Sequence, residues 1–145
     1  MSDAAFLQHL EAVAADVMQA FEVKAPPVPV ESMLQRPREG MWEEVDVSQL
    51  SGSFLTVKDY YSPRMSLARL LARHIIWSAW GKAHELGDIG RDEEMIRTFA
   101  RMLVMPASMV NPLSAAAKNP TAMSMHFEVP EDDARLRLKE LANQL

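Results

Sequence analysis

The sequence predicts an α+β fold: an N-terminal helix, a small β-sheet, two packed core helices and a short helical C-terminal tail. Three observations predict it. Apolar residues recur at helical spacing near both ends and through the middle of the chain, while two short runs between Met41 and Val57 are rich in β-branched and aromatic residues. Proline and glycine punctuate the joins. With 145 residues, 48% hydrophobic and 24% charged, the chain holds enough apolar material for one core. It is read as a single domain, 1–145, whose residues 110–145 form a tail packed on the rest.

The elements follow in order. From Asp3 to Glu22, Phe6, Leu10, Val13, Val17 and Phe21 form one apolar stripe, the mark of an amphipathic helix. Ala25 to Val30 carries three prolines, which remove donors and restrain their predecessors, so it is extended; Val30 to Gln35 follows as a short helix, and Pro37 and Gly40 break the chain. Met41–Val47 and Ser53–Val57 read as paired strands. Ser62 is placed as an N-cap with Pro63 at the first helical position, opening a helix that runs to about Ala83 and carries Trp77 and Trp80 as core residues. Gly87 to Gly90 closes it. Asp92-Glu93-Glu94 supplies the acidic first turn of the next helix, with Met95, Phe99, Met102 and Leu103 inward and Pro106 as its stop. The tail holds a turn at Asn119-Pro120, a segment through Phe127, and a last helix with Ala134, Leu138, Leu141 and Leu145 on one side.

Composition narrows the function. The chain has no cysteine, which excludes disulfides, thiolate metal ligation and thiol catalysis. No basic leader or apolar span appears, so a cytoplasmic protein without membrane insertion is expected. A net charge of −5 disfavours nucleic acid, and Glu128, Glu131, Asp132 and Asp133 set negative charge where a recognition helix would start, so DNA binding is not expected. The clustered methionines Met102, Met105, Met109, Met123 and Met125 are read as adaptable packing rather than a soft-metal site.

Arg64-Met65-Ser66-Leu67-Ala68-Arg69-Leu70-Leu71-Ala72-Arg73-His74-Ile75-Ile76 resembles the R-F-T-L-A-H-E-L-G-H-x-L-L helix of the ImmA/IrrE family of metallo-endopeptidases. Three further segments are similar to that family in the same order. They are Pro27 to Glu31, Glu93 to Pro106 with its Phe99-Ala100 and Met105-Pro106, and Met123 to Leu141. The resemblance spans nearly the whole chain and implies a zincin-like core, with the helices carrying Arg69 and Glu93 as its active-site pair. The chemistry departs from it. In H-E-x-x-H two imidazoles bind zinc and the glutamate activates a water; here Arg69 and Arg73 hold the ligand positions and Leu70 the base position, and Met95 falls on a glutamate of the downstream motif.

The expectation is therefore a non-catalytic, pseudo-protease protein, binding or regulatory, that recognises a protein partner such as a transcriptional regulator through the former substrate cleft, with no metal and no cofactor. The cleft residues are Arg69, Arg73, Glu93, Glu94 and His74, with Tyr60-Tyr61 at the edge. Arg69 and Arg73, one turn apart, either pair with Glu93 or Glu94, reach solvent, or capture an acidic peptide or phosphate. His74 alone is more simply a hydrogen-bonded core residue than a ligand. The alternative is a residual zinc metallo-endopeptidase acting on a helix-turn-helix repressor, with His84, Glu85 and Asp88 as its site; the glycines beside them favour a solvated helix end instead.

Overall fold

Burial follows the helical stripe from the first element onward. The computed structural model describes residues 3–43 and 60–144. Helix α1, Asp3–Ala20, buries Leu10, Val13, Ala14, Val17 and Met18. Helix α2, Val30–Gln35, buries Met33 and Leu34. Helix α3, Ser62–Trp77, turns Met65, Ala68, Leu71, Ala72, Ile75 and Ile76 inward. Helix α5, Glu93–Val104, is flanked by α1 and α3 and buries both sides, Phe99, Ala100, Met102 and Leu103 being fully enclosed. Between them lie α4, Ala79–Ala83, and a 3-10 turn, Gly87–Arg91. Short α6, Ala107–Val110, leads to α7, Pro120–Phe127, and α8, Glu131–Ala142, which pack on each other and, through α8, on α5.

The α+β expectation is corrected by this architecture. Every regular element among the described residues is helical, with no strand and hence no zincin-like sheet. Of the two expected strands, only Met41–Glu43 falls within the described residues, where it is irregular; 44–47 and 53–57 lie outside them. The aromatic content that suggests a strand there acts as a plug. Trp42 stacks on Phe21 at 6.4 Å and donates its indole N–H to Leu34 O at 3.0 Å, while Gly40 O accepts from Trp80 N at 2.9 Å. A bulky aromatic serves a loop anchor as well as a pleated surface, which is why composition misread it.

The long helix expected from Ser62 to Ala83 is also broken. Tyr61, not Ser62, occupies the cap position, and α3 ends at Trp77, where Ser78 turns extended, donates its hydroxyl to Ile75 O at 2.7 Å and accepts from Gly81 N at 3.0 Å. Gly81 permits the sharp return: a Cβ there would sit 2.0 Å from Ile75 O. The break rotates Trp77 out of the core. It is 64% exposed, against the expectation, and Trp80 is only half-buried.

Three helical ends share one device. After α1, α4 and α7 the chain passes through Glu22, Glu85 and Glu128 in the left-handed region, at φ 57°, 60° and 57°. The next residue's N–H then reaches back five positions, Val23 to Met18 O, Leu86 to Gly81 O and Val129 to Ser124 O. This is the Schellman closure with glutamate where glycine is usual, and the residue beyond packs inward, Leu86 and Val129 being fully buried. Left-handed glutamate costs on the order of 1–2 kcal/mol at each site, which the buried anchor offsets.

Two arginines, one fully and one partly buried, lock the tail. Arg137, with no solvent exposure, donates from Nε to Met105 O at 2.9 Å and from Nη1 and Nη2 to the two carboxylate oxygens of Glu11, the Nη2 bond at 2.6 Å. Gln144 adds a bond to the same carboxylate at 3.0 Å. Arg64 holds the other end, donating to the carbonyls of Val28, Phe127 and Glu128.

Candidate functional site

The i, i+4 arginines of α3 share a helix face, as their spacing requires, but they do not enter one site. Arg73 donates Nη2 to both oxygens of Glu93, at 2.8 and 2.6 Å. The bond from Arg73 holds the Glu93 carboxyl below the usual glutamate range. Arg73 and His74 then border a shallow apolar groove of about 440 Å³ with Leu70, Trp42 and Trp77. His74 donates Nδ1–H to Leu70 O at 3.0 Å and sits edge-on to Trp42, a hydrogen-bonded packing residue.

Arg69 looks the other way. With Glu94 and Tyr60-Tyr61 it lines a cleft of about 850 Å³ between the first half of α3, the outer face of α5 and the start of α8. Arg97 and Arg101, one turn apart on α5, continue this wall, and Asp133 and its neighbours in the first turn of α8 form the facing one. So the structure brings together Arg69 and Glu94 from the expected set, separates them from Arg73, Glu93 and His74, and adds three residues that sequence reasoning missed. A signal for two of them was present: Arg97 and Arg101 repeat on α5 the spacing of Arg69 and Arg73 on α3.

Partnering within the cleft is uneven. Arg101, 7% exposed, donates Nε and Nη2 to Glu140 at 3.2 and 2.7 Å and Nη2 to Thr98 at 3.2 Å. Its Nη1 approaches Asp133 only to 3.9 Å. The Arg69 Nε–H is closed off from solvent and has no hydrogen-bond acceptor among the described residues. Buried donors are rarely left so. Arg97 is exposed and attracts Glu93 through space.

Asp133 is 7% exposed, and burial pushes its carboxyl pKa up against the pull of Arg69 and Arg101. A folded pKa above the unfolded one means the protonated form contributes stability that is complete below the ordinary value of 3.8 and is lost as pH rises through the folded value. The ionised carboxylate is therefore a net burden at neutral pH. Asp133→Asn is expected to be more stable than the parent at neutral pH and to lose that advantage below the ordinary value. Urea unfolding at both pH values checks this, and a less stable asparagine variant at neutral pH would contradict it.

Zinc, which the sequence resemblance implies for this helix pair, does not fit the residues present. Guanidinium groups are always charged and donate only, and Leu70 can neither bind a metal nor take a proton. The second candidate set is dispersed as well. His84 donates Nδ1–H to Trp80 O at 2.8 Å, stacks on the Trp80 ring at 3.6 Å and points Nε2 toward Asp16 at 3.8 Å. Glu85 sits in the left-handed closure and Asp88 in the 3-10 turn, both exposed. Among the described residues no group of three or more His, Asp or Glu side chains is placed to hold a metal ion. Comparison with protein-family models, with curated proteins and with solved structures finds no match to this chain.

Proposed function

We propose that the protein is a non-catalytic binding or regulatory protein that engages a protein partner through the α3–α5–α8 cleft. One observation carries this reading: an arginine with an unsatisfied, enclosed N–H borders a large cleft at the position where the resembled peptidases keep a zinc ligand. A guanidinium with an unmet hydrogen bond beside a cleft is an anchor for a ligand carboxylate, and at the positions of the zinc motif arginine and leucine supply neither a metal ligand nor a general base. Helix α3 packs closely against α5, and Glu93 reaches Arg73 across that contact. A transcriptional regulator of the helix-turn-helix type is the partner class that this resemblance suggests. The compartment in this reading is the cytoplasm; among the described residues no helix is long and apolar enough to cross a membrane.

The test is metal content and proteolysis together. Protein dialysed against buffer is expected to hold far less than stoichiometric zinc and to leave a candidate repressor uncut while retaining it in a binding assay. Stoichiometric zinc after dialysis, with cleavage abolished by a chelator, would overturn the proposal in favour of a peptidase.

A further inference from the structure

Two opposite charges border the cleft, each short of a partner, and they are not bonded to each other. Arg69 lies on the α3 wall and Asp133 on the α8 wall; they attract through space, yet no ion pair joins them. Among the described residues Asp133 has only the Nη1 of Arg101, 3.9 Å away, as a cation, and the short ion pair of that guanidinium, through Nη2, goes to Glu140. Glu93 is committed to Arg73 and Asp132 to Arg135 at 3.5 Å, while Glu94 and Glu131 also line the cleft without an ion pair to Arg69 or Arg97 among the described residues. The gap between Arg69 and Asp133 thus separates a donor without an acceptor from a carboxylate without an adequate cation.

We propose that this cleft is a two-pole subsite for a peptide segment carrying charges of both signs, an acidic side chain seated on Arg69 with Arg97, and a basic one on Asp133. The inference rests on the binding role proposed above and specifies its ligand. Charge complementarity selects this class over the alternatives. A polyanion such as nucleic acid meets Glu131, Asp132 and Asp133 across the cleft, and a polycation meets Arg69 and Arg97. Only a mixed segment satisfies both walls, and two side chains two residues apart on an extended strand point to the same face. Tyr60 and Tyr61, edge to face at 5.1 Å at the mouth, offer aromatic surface to the backbone between the charges.

The test uses the full chain and three N-acetylated, C-amidated pentapeptides: Gly-Glu-Gly-Lys-Gly, its all-glutamate form and its all-lysine form. The readout is the Arg69 Nε–H resonance, assigned by its loss in Arg69→Lys, together with the side-chain carboxyl carbon of Asp133. The mixed peptide is expected to shift both signals and to bind at least tenfold more tightly than either single-sign peptide. Asp133→Asn and Arg69→Gln should each remove that preference, and Arg73→Gln, outside the cleft, should preserve it. Equal binding of the all-glutamate and mixed peptides overturns the two-pole subsite while leaving a binding protein in place. Unmoved signals with every peptide, the gap then holding water only, also overturn it. Zinc retention with cleavage would instead remove the underlying binding role.

Discussion

Glu11→Ala is expected to destabilise the protein by about 3–5 kcal/mol, because it strips the carboxylate from a fully enclosed guanidinium. Arg137 has no exposed surface, and its only charged partner among the described residues is Glu11, itself 12% exposed and carried on the opposite end of the chain. The remaining bond to Met105 O satisfies one of five N–H groups and none of the charge. For a chain of this length the loss corresponds to a fall in melting temperature of roughly 6–20 °C. Adding Arg137→Met to Glu11→Ala should recover much of it, since removing both charges removes the uncompensated burial. Thermal and urea denaturation followed by helical circular dichroism measure both variants. A Glu11→Ala change under about 0.5 kcal/mol, the size expected of a surface substitution, would show that the clasp is not a buried pair in solution.

The second large effect is Phe99→Ala, with an expected loss of about 3–5 kcal/mol. Phe99 is fully buried on α5, the helix held between α1 and α3 and touched by α8. Truncation removes a ring's worth of apolar contact at the place where these helices meet, and their backbones cannot close in together to fill the space. The urea midpoint should drop with little change in the slope of the transition, because the surface exposed on unfolding stays nearly the same. Met102→Leu on the same helix conserves volume and should cost less than about 1.5 kcal/mol. If Phe99→Ala proved no worse than Met102→Leu, the central placement of α5 would be wrong.

Both effects concern residues whose importance is unequally visible in the chain. Phe99 belongs to a stripe that helical spacing exposes at once, and the structure places it as that stripe predicts. Arg137 sits on a helix with a mean hydropathy and pattern that suggest a solvated face, and nothing local announces that its charge lies inside. The same division runs through the candidate site. Arg69 and Arg73 are legible as a pair from their separation of four, and the pairing of Arg73 with Glu93 is one of the outcomes that separation allows. That Arg69 turns into a different cleft, toward Asp133, is not legible.

The misread elements have particular causes. Ser78 and Gly81 interrupt an apolar run whose composition alone favours one helix, because a hydroxyl capping Gly81 N competes with helical continuation. Trp77 then leaves the core that its chemistry suits. Left-handed glutamates close three helices where a reader of sequence looks for glycine, since the stabilising partner is the buried apolar residue that follows and not the residue in the turn.

Short-range information in the chain determined where α1, α2, α5 and α8 lie, which faces of α1, α3 and α5 are apolar, and that Arg69, Leu70 and Arg73 cannot bind zinc as H-E-x-x-H does. Tertiary structure alone decided that the described fold is all helical, that Arg137 meets Glu11 across 126 positions, and that Arg69 and Arg73 serve separate grooves. The reason is the range of the forces involved. Helical periodicity and side-chain chemistry act within a few residues, whereas desolvation and ion pairing depend on which distant surfaces come together.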